Sequence, residues 1–254
     1  MIRKSLIYKT GVEYGDYTLN HVQGCSHGCK YPCYAYMMAK RFGKVRSYED
    51  WVCPQIVENT MELLDKELPR FKDKIKLLHL CFTTDPFMYG HEDICRLSTQ
   101  VLQKANAFNV RCSVLTKGIL PAELSELPLD NEYGITAVSL DDAFIRQYEP
   151  GAAPIQERIR SLKSLSDKGC KTWVSIEPYP TPNVINQNLN EILNEVSFAD
   201  KIIFGRLHYN KIVSAYPEYR DFYNQCANQV IQFCQQHQIA YHIKTGTLTG
   251  QEDK

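Results

Sequence analysis

Short apolar runs alternate with longer amphipathic segments from Tyr17 onward, and no other feature of the sequence limits the fold as much. "YTLNHVQG", "IKLLHLCF" (75–82), "VRCSVLTK" (110–117), "YGITAVSL" (133–140), "TWVSIEP" (172–178), "KIIFG" and "IAYHIKTG" read as strands. Between the first two, "CPQIVENTMELLDKELPRF" places Ile56, Val57, Met61, Leu64 and Leu68 at helical spacing. "ICRLSTQVLQKANAF", "PIQERIRSLKSLSDKG" (154–169), "NLNEILNEV" and "YRDFYNQCANQVIQFCQQH" read as further helices. Pro154 opens one of these and Gly169 follows its end, as helix termini favour. Seven strands, with helices in five of the six connections between them, predict a parallel sheet covered by helices.

Polar residues follow those strands: Thr83-Thr84-Asp85, Thr116-Lys117, Ser139-Leu140-Asp141 and Glu177-Pro178. Reactive groups sent to one rim by several strands favour a barrel over a doubly wound sheet. The expected fold is therefore α/β, a partial (β/α)6 TIM-type barrel of parallel strands, with "IAYHIK" as an added or closing C-terminal strand. Residues 1–17 are expected as an N-terminal extension, 18–245 as the barrel domain and 246–254 as a polar tail.

Ten cysteines occur in 254 residues. Seven are scattered, several inside apolar runs, and read as buried thiols packing as small hydrophobes. Cys25, Cys29 and Cys33 differ, because they fall within nine positions of each other. Their spacing would align three thiols on a helix, but Gly24, Gly28 and Pro32 interrupt it, and an interior proline costs about 3 kcal/mol. A compact loop around a bound object fits better. Three thiolates can hold zinc or a [4Fe–4S] cluster, or simply pack. Structural zinc wants a fourth ligand, and His27 between two cysteines would make a strained cage.

Lys plus Arg equals Asp plus Glu at 29 each, so the net charge gives no support to salt-driven binding of duplex nucleic acid. No run of 18 apolar residues occurs, and "MIRKSLIYKTGVEY" lacks the apolar core of a secretion signal. A cytoplasmic location without membrane partners is the expectation.

The segments "GCSHGCKYPCYA", "TTDPF", "LTKG", "VSL", "RQYEPGAAPIQERIRSLKSLSDKG" and "VSIEPYPTP" carry a resemblance. Over about residues 18–245 the chain resembles radical S-adenosylmethionine (SAM) enzymes, in the branch similar to spore photoproduct lyase. One departure stands out: the superfamily's usual CxxxCxxC is here CxxxCxxxC, with Pro32 in the longer gap. The resemblance implies a [4Fe–4S] cluster on Cys25, Cys29 and Cys33, with SAM on its open iron. It implies a reducing partner such as flavodoxin or ferredoxin, and hydrogen abstraction from an unidentified substrate.

It further implies that Thr84 and Asp85 meet the methionyl ammonium, Lys117 its carboxylate, and Ser139 the ribose hydroxyls or carboxylate. Tyr31 would lie near the adenine. Arg146 and Glu177 would form part of the rim, holding one another, while Glu149 could instead pair with Arg158. Cys81 is a hydrogen-donor candidate if a regular strand turns Cys81, Thr83 and Asp85 the same way. Each residue has a structural alternative: a helix cap, a surface lysine, a turn serine, a core aromatic, a buried thiol. Two other functions stand beside the first: a nucleic-acid photoproduct or lesion lyase, and a non-catalytic iron–sulfur or zinc interaction protein. Asp85, Lys117 and Ser139 argue against the last, since a metal staple needs no cofactor pocket.

Overall fold

The structure is a computed structural model, described here for residues 1–249. Its strands are β1 (Ile7–Lys9), β2 (Tyr17–Leu19), β3 (Val22–Gln23), β4 (Gln55–Ile56) and β5 (Leu78–Leu80). They continue as β6 (Cys112–Thr116), β7 (Glu132–Thr136), β8 (Lys171–Tyr179), β9 (Lys201–Arg206) and β10 (Ala240–Ile243). Eight form one sheet in the order β1-β2-β5-β6-β7-β8-β9-β10. Only β1 runs antiparallel to its neighbour; every later pair is parallel. β10 lies beside β9, with His242 opposite Ile203, so the C-terminal segment is an added strand of the sheet. Among the described residues no ladder joins β10 to β1, and the barrel they form is incomplete.

The helices are α1 (Tyr34–Arg41), α2 (Tyr48–Trp51), α3 (Thr60–Phe71), α4 (Glu92–Ala107), α5 (Asp142–Tyr148), α6 (Ile155–Ser166), α7 (Leu189–Glu195), α8 (Lys211–Ser214) and α9 (Tyr219–His237). Apolar stripes bind the long ones to the sheet: Leu63, Leu64 and Leu68 of α3, Ile159, Leu162 and Leu165 of α6. Each such side chain contributes about 1.5–3 kcal/mol on burial.

Several expected boundaries moved for local reasons. The helix expected from Cys53 begins at Thr60, because Gln55 and Ile56 pair antiparallel with Val22 and Gln23. The first strand stops at Leu19, and "VQ" turns away into that small second sheet. Residues expected as an N-terminal extension supply β1, which Glu67 anchors by accepting from the Leu6 and Ile7 amides. Between β6 and β7 there is only a 3-10 turn, Ala122–Glu126. Of the tail expected over 246–254, residues 250–254 lie outside the described residues. Among the described residues no helix is long and apolar enough to cross a membrane.

The barrel interior is partly aromatic. His79 of β5 stacks on Phe82 with ring centroids 3.7 Å apart, and its Nδ1 lies 3.2 Å from Ser113 Oγ. Tyr14, from the β1–β2 turn, reaches over to Phe82, Trp173 and His242. The same turn spans the gap between the sheet's edges, since Glu13 Oε2 lies 2.8 Å from His242 Nε2 and accepts from the Thr245 amide.

Candidate metal centre and cofactor rim

Residues 24–33 form a loop at the C-terminal end of β2, and the helix of this region starts only at Tyr34. Gly24 and Gly28 sit at φ +86° and +58°, in the left-handed region that glycine enters without penalty. A Cβ on Gly24 would lie 2.6 Å from the Trp51 carbonyl, so no other residue fits that bend. The loop is tied down along its length. Cys25 N donates to Trp51 O, Lys30 N to Tyr148 O, and Gly151 N to His27 O. Thr84 Oγ1 donates to Gly24 O.

His27 is buried at the loop's centre. Its Nε2 accepts from the Tyr89 amide at 3.0 Å, which leaves the proton on Nδ1, 3.4 Å from Asp85 Oδ2. Burial pushes His27 below its usual pKa against the pull of Asp85, so the imidazole is neutral. Both nitrogens are engaged, which removes His27 as a fourth metal ligand.

Asp85 is buried with its acceptor positions filled. Oδ1 accepts from Phe87 N at 2.9 Å and Thr116 Oγ1 at 2.6 Å, and Oδ2 from Lys117 N at 2.9 Å while facing His27. A carboxylate offers about four such positions. The expectation that Asp85 accepts from a methionyl ammonium is therefore corrected: it clamps the β5 and β6 ends to the cysteine loop. Thr84, bonded to Gly24, has the same positioning role.

A second buried network lies beneath the loop. Glu149, fully buried, has Lys117 Nζ 3.0 Å from Oε1 and Arg158 Nη1 2.7 Å from Oε2, and it accepts from the Tyr31 hydroxyl. Burial alone would raise its carboxyl; Lys117 and Arg158 outweigh that and hold it at about 2. Tyr31 stacks on Tyr148 and is buried, so its ring is part of this network rather than an open platform for adenine. Ser139 is buried, and its Oγ accepts from Asp141 N at 3.1 Å. Arg146 is exposed on α5, and the ion partner of Glu177 is Lys244, at 3.6 Å. The expected Arg146–Glu177 pair does not form.

Cys81 has φ +65°, which breaks the alternation that would aim it at the rim. Its Sγ lies 3.5 Å from His21 Nδ1, and His21 Nε2 lies 2.7 Å from Ser98 Oγ on α4. Thr83 turns instead to Asn20. Cys81 thus points toward α4, and burial keeps its thiol protonated.

The cysteine loop, Asp85, Lys117 and Tyr31 are thus brought together at one end of the sheet. Ser139 ends the neighbouring β7 segment. Glu177 stands further round, on β8. Sequence reasoning placed Thr116 at the rim and weighed His27 only as a metal ligand, without giving either its contact with Asp85, and it missed Tyr148. Period-two alternation in "VRCSVLTK" sets Thr116 opposite in facing to Lys117, a signal that could have found the first contact of Asp85.

The donor set suits an iron–sulfur cluster in chemistry and surroundings. Cys25, Cys29 and Cys33 share one neighbourhood: Cys29 and Cys33 act on the ionisation of Cys25, and Cys33 on that of Cys29. Burial pushes the Cys25 thiol up and Cys29 to about 12, so loading a metal would expel their protons. Cys33 stands at the N-cap of α1 without a side-chain cap bond, so its sulfur is not committed to the helix. Among the described residues no three His, Cys, Asp or Glu side chains are already gathered as a metal cage. What fits is the donor set and its anchored loop.

Fold and site define a parallel partial-barrel protein with a three-cysteine loop at its functional rim. Its residues 19–196 match the model of the Radical SAM superfamily, and the chain belongs to that family. Curated relatives include uncharacterised proteins of Acidianus two-tailed virus, 26% identical over 197 residues, and of Methanocaldococcus jannaschii, 27% identical over 180. These matches cover 73% and 69% of this chain, and 64% of each relative. Among solved structures, a spore photoproduct lyase mutant with bound AdoMet and dinucleoside spore photoproduct superposes with a TM-score of 0.70 at 13% identity. That match covers 95% of this chain and 80% of the other. Streptococcus suis SuiB bound to precursor peptide SuiA gives 0.57 at 13% identity, over 89% and 48% of the two chains. These likenesses show the shared fold.

Proposed function

We propose that this protein is a radical SAM enzyme acting on a damaged or modified nucleic acid. The observation that carries the first half is the loop of residues 24–33, which holds three thiols at the C-terminal rim within a superfamily match. A [4Fe–4S] cluster on Cys25, Cys29 and Cys33 would supply the electron, drawn from a reduced flavodoxin or ferredoxin, that cleaves SAM to methionine and a 5′-deoxyadenosyl radical.

The chain's own residues then have defined tasks. Lys117 spends one of its three N–H donors on Glu149, and the others are available to a methionyl carboxylate. Ser139 accepts from Asp141 and keeps its O–H to donate to a ribose hydroxyl. Asp85 and Thr84 hold these strand ends against the loop. Glu149 and Tyr31 fix Lys117 in a setting shielded from water, where charge-assisted contacts are stronger than in solvent.

The spore photoproduct lyase likeness, over 95% of the chain, favours a nucleic-acid lesion as the substrate class. Net charge does not oppose this, because a local group of cations suffices for a short single strand. Cys81 is not its hydrogen donor in this reading.

Anaerobic reconstitution with iron and sulfide, then SAM and dithionite, tests the chemistry. The expected result is iron–sulfur absorbance and 5′-deoxyadenosine from the wild type, and neither from the folded Cys25→Ala/Cys29→Ala/Cys33→Ala variant. A full cluster in that variant, or zinc alone in anaerobically purified protein, would refute the assignment.

A further inference from the structure

β9 ends on the same rim as the cysteine loop, across the sheet from it, and the chain there reads "RLHYNK", residues 206–211. Arg206 and His208 are half-buried, and among the described residues neither meets a carboxylate within ion-pair distance. Arg206 Nε instead lies 3.2 Å and 3.3 Å from the two ring nitrogens of His208. Lys244 N donates to Phe204 O of β9, which brings Lys244 to the same corner, and burial, with Arg206 and Lys244, pushes His208 below its ordinary pKa, so its imidazole stands there as a neutral hydrogen-bonding group. Lys244 is balanced by Glu177, so among the described residues the uncompensated cation of this corner is Arg206, which concentrates positive potential locally in a chain of zero net charge. The acids on this side are already committed: Glu177 to Lys244, and Glu13 to His242 and the Thr245 amide.

Tyr209 follows at once. Its side chain is 73% exposed, and its backbone stands at φ +56°, a conformation that disfavours a side-chain-bearing residue by about 1–2 kcal/mol. The turn is pinned from the C-terminal side, where Asn210 Oδ1 accepts from Ile212 N at 2.9 Å and Val213 N at 3.2 Å. It is held from the N-terminal side by Leu207 N, bonded to Tyr179 O. An aromatic ring is thus displayed to solvent on a fixed turn, its centroid 5.8 Å from that of His208.

We propose that residues 206–209, with Lys244, form a nucleotide subsite, in which Arg206, His208 and Lys244 receive a phosphodiester and Tyr209 stacks on a base. The inference rests on the lesion reading above and adds the residues that would hold the strand. A guanidinium offers paired donors that match phosphate oxygens. A tyrosine face accepts any base, so the subsite positions the strand and leaves recognition of the lesion to the barrel interior. Glu177 links this corner to the cofactor side, since both Lys244 and Lys117 act on its charge.

Fluorescence anisotropy of a labelled six-residue oligothymidylate, titrated anaerobically with the full chain at several salt concentrations, provides the test. Arg206→Gln and Tyr209→Ala should each weaken binding about tenfold, and Arg206→Gln should also flatten the salt dependence by about one phosphate contact. Lys163→Gln, on the exposed face of α6, should bind as wild type does. Thermal melting of each variant separates lost contacts from lost folding. Wild-type affinity in folded Arg206→Gln and Tyr209→Ala would overturn the subsite and leave the lesion reading standing. If the wild type itself fails to bind while still forming 5′-deoxyadenosine, both the lesion reading and the subsite fall, and the radical SAM assignment survives.

Discussion

Glu149→Gln removes one negative charge from a fully buried ionic group. The substitution leaves Arg158, fully buried, without the carboxylate 2.7 Å away, and Lys117 without its partner at 3.0 Å. Breaking a buried ion pair from one side costs about 3–5 kcal/mol, chiefly because the surviving charge stays desolvated. A second route gives a similar figure. A carboxyl held at about 2 rather than the ordinary 4.5 corresponds to about 3 kcal/mol, at 1.36 kcal/mol per pH decade. For a chain of this size about 2–4 °C is lost per kcal/mol, so the melting temperature should fall by about 6–20 °C.

The pH dependence has a definite sign. Because the folded-state pKa is depressed, this stabilisation is complete above about pH 4.5 and disappears as pH falls toward 2. The difference between wild type and variant should therefore be largest near neutrality and shrink in acid. Differential scanning calorimetry from pH 7 to pH 3 measures it. Adding Arg158→Met to the variant should restore part of the loss, since the orphaned charge goes too. A melting point within about 2 °C of wild type at pH 7, with no narrowing in acid, would refute the reasoning.

Two further predictions concern the loop and the barrel interior. Gly24→Ala forces a Cβ to 2.6 Å from the Trp51 carbonyl at φ +86°, so it should cost about 1–3 kcal/mol and lower the iron bound on reconstitution; wild-type iron content would contradict this. His79 is buried and held neutral, with burial first and Lys201 second lowering it to about 3. The unfolded chain takes up that proton below about pH 6.5, so stability should fall as pH drops from 6.5 toward 3. Replacing His79 with Phe should flatten that part of the denaturant-midpoint profile, and an unchanged slope would show that the site is hydrated.

The strand–helix rhythm was legible because the inner strands of the sheet are buried on both faces and read as nearly continuous apolar runs. The rim was legible because polar residues end those runs, which is how Asp85 and Lys117 came to stand beside the cysteine loop. What each polar group does there was not. Asp85 looks identical in sequence whether its oxygens face a ligand or three donors of its own chain. Tyr31 and Glu149, 118 positions apart, meet only through the fold. The two-residue strands β3 and β4 fall below any periodic signal, yet their pairing decides where α3 starts. Cys81 escaped alternation because a single residue at positive φ reverses the facing of everything after it.

The turn between β1 and β2 touches β10 across 229 positions of sequence, through the Glu13–His242 contact. Elsewhere neighbouring strands are joined by ladders of backbone bonds; this seam is joined by side chains and one amide. A half-exposed ion pair contributes about 1 kcal/mol or less, so the seam is the place where the wall parts most cheaply. It joins segments far apart in sequence, and no backbone ladder among the described residues backs it. The interior therefore opens most cheaply along this seam, with Tyr14 as the stopper that leaves when the seam lets go.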